Sequence, residues 1–181
     1  MKLGEQPSRS SKPIYVLNAT PVIHFSKIGR LNKILEVCEA FITKEVHDET
    51  VVRGERFPES LAIKEAVNSG RLKVYEVLAE NCVKALLKYR EIHKGEAETI
   101  VAAEELGGTA IIDDKEARVI AKVYNVKTAL GCLFLLFRLL KLGKIDTSEA
   151  KRVLEELVNS GLHLDPESLL EACRRIEQRE L

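Results

Sequence analysis

Two acid clusters bracket one short apolar run between Gly95 and Arg118, which reads GEAETIVAAEELGGTAIIDDKEAR. Glu96 and Glu98 fall in the first turn of a segment whose Ala97, Ile100, Val101, Ala103 and Leu106 recur at helical spacing. Gly95 reads as the breaker before it, and Gly107 and Gly108 end it. Thr109 to Ile112 carries β-branched residues between glycines and acids, the pattern of a buried strand, so Asp113 and Asp114 stand at its C-terminal end. In open α/β sheets ligands bind at that edge, where acids from a strand end and a neighbouring helix start can share a crevice. Grouped carboxylates suit a hard cation such as magnesium or manganese, which can activate a water and hold a phosphodiester for attack. Each acid alone also has a structural reading. Acids complement the macrodipole at helix starts, and Asp is a good N-cap for a helix over Lys115 to Tyr124.

The elements that must position these acids can be read in order. Ile14 to Leu17 predicts a strand that leads through Asn18-Ala19-Thr20-Pro21 into a helix, with Thr20 as its N-cap and Pro21 at the first helical position. That helix runs through Ile23, Phe25, Ile28, Leu31, Ile34 and Leu35, and Gly29 weakens its continuity. Ala40 to Ile42 predicts a second strand, capped by Thr43. Lys44 to Val52 predicts a short helix in which Glu45 and Glu49, four apart, share a face. Pro58 opens a helix to Val67, Leu72 to Val77 alternates as an edge strand, and Asn81 to His93 is amphipathic, with His93 a cation at its C-terminal end. Val126 to Ala129 predicts another strand. Leu130 to Leu142 is apolar on nearly every side apart from Arg138 and Lys141, which predicts burial between the sheet and a partner surface such as a second copy of the chain. Thr147 to Val158 and Pro166 to about Gln178, the latter capped by Asp165, are closing helices. Strands alternating with helices predict an α/β fold with a largely parallel central sheet.

With 181 residues, 45% hydrophobic and 31% charged, one globular domain with a real core is expected. Lys and Arg total 28 and so do Asp and Glu, so no overall bias toward nucleic acid exists, and any basic surface must be local. Ala129 to Leu140 is too short to span a bilayer, which takes roughly 20 apolar residues. Residues 1–13 read as a polar, disordered lead-in without a signal peptide, 14–146 as the domain, and 147–181 as helices packed on it or on a partner. Cys38, Cys82, Cys132 and Cys173 are widely spaced and read as buried small hydrophobes of a reducing cytoplasm.

The succession of an apolar strand, N-A-T-P at Asn18 to Pro21, an acid in the second helical region, G-E-A-E at Gly95 to Glu98 and I-D-D-x-x-A-R at Ile112 to Arg118 resembles the PIN domain family in its archaeal and bacterial branch. The resemblance covers roughly Ile14 to Asp146. It implies a three-layer α/β sandwich with a sheet of about five strands. It also implies a magnesium- or manganese-dependent ribonuclease acting on RNA, in many members the toxin of a toxin–antitoxin pair with an antitoxin protein as partner. By the same resemblance Asn18 occupies the position normally held by the first Asp. Glu49 is the acid of the second helical region with Glu45 as fallback, Glu98 or Glu96 is the third acid, and Asp113 or Asp114 the fourth. Thr20 matches a hydroxyl that orients the site. Arg118 matches the motif arginine, a partner for a carboxylate or phosphate, with a surface salt bridge to Asp114 or Glu116 as its structural alternative. Asn18 offers a carbonyl oxygen without charge, so a cation there is held more weakly and catalysis is reduced or lost. An inactive PIN-like module binding RNA or protein is therefore the competing function.

Overall fold

Strand β1 (Ile14–Leu17) is the apolar run IYVL, followed in the chain by α1 (Ala19–Lys27), α2 (Leu31–Val37) and β2 (Glu39–Thr43). One helical turn, α3 (Lys44–His47), runs into a π turn (Asp48–Val52), and then come α4 (Pro58–Asn68) and β3 (Leu72–Tyr75). The next elements are α5 (Glu80–Leu86), α6 (Lys94–Glu105), β4 (Thr109–Ile112), α7 (Lys115–Val123) and β5 (Thr128–Leu130). Helices α8 (Gly131–Lys141), α9 (Thr147–Asn159) and α10 (Pro166–Gln178) close the chain. The computed structural model describes residues 12–178, so residues 1–11 of the expected lead-in lie outside the described residues.

All five strands are parallel, in the order β3-β2-β1-β4-β5, with helices on both faces. The α/β architecture expected from the alternating elements is the one the chain builds. Period-two alternation sorts the strand side chains onto two faces. Tyr15, Leu17 and Ile111 join a core with α1, α2, α4, α8, α9 and α10, whereas Val16, Ala110 and Ile112 join a second core with α5, α6 and α7. Every residue of β4 is buried, which is why it reads as a continuous apolar run.

The order of the strands fixes the ligand edge. From β1 the chain moves outward through β2 to β3, then α5 and α6 carry it back to β4 on the other side of β1. That switch opens a crevice beyond the C-terminal ends of β1 and β4. The Asn18 N–H donates to the Ile111 carbonyl at 3.0 Å and ties those two ends together.

Several local expectations are corrected. Helix α1 starts at Ala19 with Asn18 as its N-cap, so Thr20 and Pro21 lie inside the first turn. Gly29 adopts φ +67 and ends α1, a left-handed position that favours glycine. His93 ends no helix; it is the N-cap of α6, and α5 already stops at Leu86. Gly95 accordingly lies within α6 and breaks nothing. Strand β5 begins at Thr128, two residues later than expected, while Val126 is buried ahead of it. Cys82 is exposed and Cys173 half-buried, so only Cys38 and Cys132 fit the expected burial. Burial pushes the Cys38 thiol up to about 12. The apolar run of α8 needs no second subunit to explain it, because α1, α2, α9 and the sheet cover it within the chain.

Helix α8 starts against the end of β4. The Asp113 carboxylate accepts the Cys132 N–H at 3.0 Å and sits directly on Gly131, where an added Cβ would come within 2.1 Å of its Oδ2. Gly131→Ala therefore forces strand end and helix start apart. We expect it to lower stability by about 1–3 kcal/mol, read as a lowered urea midpoint with unchanged slope. Burial raises the Asp113 carboxyl above the ordinary 3.8, opposed by its bonds from Cys132 and by the Arg118 charge. The folded chain thus binds that proton more tightly than the unfolded chain, and stability falls as pH rises from about 3.8 through the raised value. Asp113→Asn keeps an acceptor for Cys132 and removes this fall. Parallel pH–stability curves for the two proteins would contradict the assignment.

Candidate active site

Four side chains gather at the crevice between β1 and β4. Asn18, directly after β1, is buried, and its side chain makes no capping bond to α1. Its Oδ1 is instead turned toward the start of α6: the position a Cβ on Gly95 would take lies 3.5 Å from Asn18 Oδ1 and 3.5 Å from Glu49 Oε2. Gly95 is thus the bare floor over which an amide oxygen and a carboxylate oxygen face the same point. The sequence reading gave that glycine no part in the site. Its only signal is a glycine placed immediately before an acid in a first helical turn.

Glu96 follows on α6. Its Oε2 accepts the His93 N–H at 2.9 Å, which fixes the side chain at the helix start. Burial raises its carboxyl above the usual range. The nearby Asp114 and Glu49 charges push the same way, against the His93 N–H. Asp114 is the N-cap of α7, accepting the Ala117 N–H at 2.7 Å. Its carboxylate accepts no other hydrogen bond among the described residues. Asn18, Glu49, Glu96 and Asp114 therefore share one field.

The remaining candidates go elsewhere. Glu98 Oε2 accepts the Glu45 N–H at 3.1 Å, and its Oε1 lies 3.6 Å from Lys94 Nζ. Glu45 bridges Lys94 at 2.7 Å and Arg53 at 2.6 Å, and these bonds hold its carboxyl below the usual range. Glu98 and Glu45 are thus neutralised in an ion network beside the crevice.

Glu45 and Glu49 were expected to share a helix face; they take different partners, and Glu49 lies inside the π turn. The Arg53 N–H reaches back five residues to the Asp48 carbonyl at 2.7 Å. The Thr50 hydroxyl takes the Val46 carbonyl at 2.8 Å. Glu49, inside this turn, faces the same point as Asn18 Oδ1, while Glu45 bridges Lys94 and Arg53. Single π turns inside helices often mark functional sites.

Asp113 and Asp114, adjacent in sequence, diverge. Asp113 is withdrawn onto the start of α8, with the Cys132 thiol 3.4 Å from its Oδ2, and that contact and burial raise the Cys132 thiol. Arg118 donates to the Ile112 carbonyl at 3.0 Å and to the Asp113 carbonyl, and it forms no ion pair among the described residues. It is a clamp on the end of β4, and the expected surface salt bridge to Asp114 or Glu116 is not formed among the described residues. Thr20 is half-buried, and its hydroxyl makes no hydrogen bond among the described residues.

The donors that gather are all oxygens, one amide and three carboxylates, the set a hard divalent cation takes. Burial raises the Glu96 carboxyl, the Asp114 and Glu49 charges add to that, and a divalent cation would favour its charged form, so the residues present fit one. Among the described residues no three His, Cys, Asp or Glu side chains close on a common point by themselves.

No helix among the described residues is long and apolar enough to cross a membrane. No curated protein and no solved structure matches the chain. A family model described as a PIN domain matches residues 14–178, which takes in both closing helices as well as the sheet and the crevice. The chain belongs to the PIN domain family.

Proposed function

We propose that the protein is a metal-dependent endoribonuclease of the PIN type, working in the cytoplasm, with Asn18, Glu49, Glu96 and Asp114 as the residues that hold magnesium or manganese. The observation that carries this reading is that Asn18 Oδ1 and Glu49 Oε2 face one point over Gly95 at the sheet's switch point, with Glu96 next in the chain and within the influence of the Glu49 and Asp114 charges. Family membership supports it. A bound divalent cation would supply an acidified water and neutralise charge on the phosphodiester. Glu96 is the proton acceptor: its Oε2 is held by His93, its Oε1 is uncommitted among the described residues, and burial raises its carboxyl above the usual range. Asn18 fixes position through a neutral oxygen and takes no proton. Lys44, Arg53 and Lys94 expose their charged ends beside the crevice, where RNA backbone phosphates would pass.

The second reading is a PIN-like RNA- or protein-binding module with weakened or absent turnover, and Asn18 is the observation that favours it. A homodimer rests on the apolar run of α8 alone and is read by the sedimentation mass of the chain; the toxin role and its antitoxin partner stand on the family resemblance. Their measurement is growth arrest on induced expression, relieved by Asp114→Asn.

The deciding experiment is cleavage of mixed-sequence RNA with and without manganese. We expect metal-dependent cleavage that falls about a hundredfold or more in Asp114→Asn and in Glu96→Gln and survives within severalfold in Asp113→Asn and Glu98→Gln. Equal activity of wild type and Asp114→Asn rejects the nuclease reading. An inert wild type that gains cleavage as Asn18→Asp establishes the second.

Gly95→Ala separates site from scaffold. Its methyl would meet Asn18 Oδ1 and Glu49 Oε2 at ordinary contact distance, and alanine favours the helix by up to about 1 kcal/mol. The variant is expected to be as stable as wild type or more so, yet to bind manganese more weakly by calorimetry. Unchanged manganese binding would remove Gly95 from the site.

A further inference from the structure

A cavity of about 600 Å³ lies at the N-terminal edge of the sheet, beside Tyr15 near the start of β1 and Thr109 and Thr128 at the starts of β4 and β5, away from the acid group. Its volume is in the range of small-molecule sites. Lys127, Arg138, Lys141 and Arg175 line it, and no acidic residue does so among the described residues. Phe134, Phe137, Arg138 and Lys141 recur three, four and seven residues apart on α8, so one stripe of that helix faces the cavity while Leu135, Leu136 and Leu139 turn into the core.

Arg138 is the residue this arrangement leaves unexplained. Its guanidinium makes no hydrogen bond or ion pair among the described residues, and its Nε is buried without a partner. A desolvated donor on a permanent cation is costly until an anion meets it. Beside it the Phe134 ring stands edge-on to Tyr15, centroids 5.4 Å apart at 74°, and Arg175 lies 4.3 Å over the Phe137 ring. The lining thus combines several positive heads with flat apolar walls.

We propose that this cavity binds a small anion joining a phosphate to a planar ring, of the nucleoside monophosphate class. Arg138 pairs with the phosphate through its guanidinium fork, Lys127 adds charge, and Phe134 provides the wall for the ring. This site is independent of the acid group and stands whether or not the chain cleaves RNA.

Calorimetric titration of the full chain, without divalent metal, tests it. The probes are adenosine, guanosine, cytidine and uridine 5′-monophosphates, with adenosine and inorganic phosphate as the two halves of the ligand. At least one monophosphate should bind about tenfold or more tightly than either half. Arg138→Gln and Lys127→Gln should each weaken it, Arg138→Gln by about tenfold, while Asp114→Asn leaves it unchanged. The proposal is overturned by absence of binding to wild type, by binding indifferent to both cation variants, or by inorganic phosphate binding as tightly as the nucleotide. Binding of a single-stranded RNA that depends on Arg138, without mononucleotide binding, assigns the cavity to RNA and overturns it equally.

Discussion

A desolvated carboxylate resting on a helix start sets the geometry of the whole crevice. Asp113 follows the fully buried β4 and accepts the Cys132 N–H at the beginning of α8, on a glycine that leaves no room for a side chain. Arg118 holds the same strand end from the other direction through two carbonyls. With the backbone fixed on both sides, Asp114 has one place to go: it caps α7 and faces the field of Glu96. Two adjacent aspartates thus divide the work, one anchoring and one exposed to chemistry. The anchor is an ionisable group, so the cost of burying it depends on pH, as is general for groups whose pKa changes on folding.

Much of the fold was legible in the sequence because local signals agreed with the tertiary arrangement. Strands β1 and β4 appear where apolar, β-branched runs end in Asn or Asp, and their parallel pairing follows from the alternation with helices. What could not be read was direction within a turn. Glu96 and Glu98 both belong to the first turn of α6, and which one faces the crevice is decided by α3, whose Glu45 N–H captures Glu98. Glu45 and Glu49 look equivalent at a spacing of four residues, yet Glu49 lies inside a π turn, which has no period that a sequence reading searches for. His93 was misplaced for a similar reason: Gly95 resembles a stop signal, while in the fold it lies inside the first turn of α6, facing Asn18, Glu49 and Val46.

The amide at Asn18 acquires meaning from its neighbours. Glu96 already resists ionisation because of burial and the charges of Asp114 and Glu49. A fourth carboxylate at the end of β1 would add to that repulsion in a buried position, since Asn18 itself is almost wholly enclosed. A neutral oxygen there eases the fold without cation, and by the same physics it weakens attraction for one. Stability of the empty site and affinity of the loaded one are opposed at a single residue.

Charge balance over the chain conceals this local organisation. Equal numbers of acids and bases give no net field, yet Glu49, Glu96 and Asp114 lie beyond the C-terminal ends of β1 and β4, and a cavity lined by cations and by no acid among the described residues opens where those strands begin. Strands of four residues separate the two by roughly 13 Å, more than a Debye length at physiological ionic strength, which is about 8 Å. Each end can therefore present its own sign to a ligand. Helix α8 touches both: its first residues carry Asp113 and its later turns carry Arg138 and Lys141. Its apolar bulk is locked in the core between them, so the helix whose hydrophobicity first suggested a partner surface is the rigid member that sets the two edges at a fixed separation.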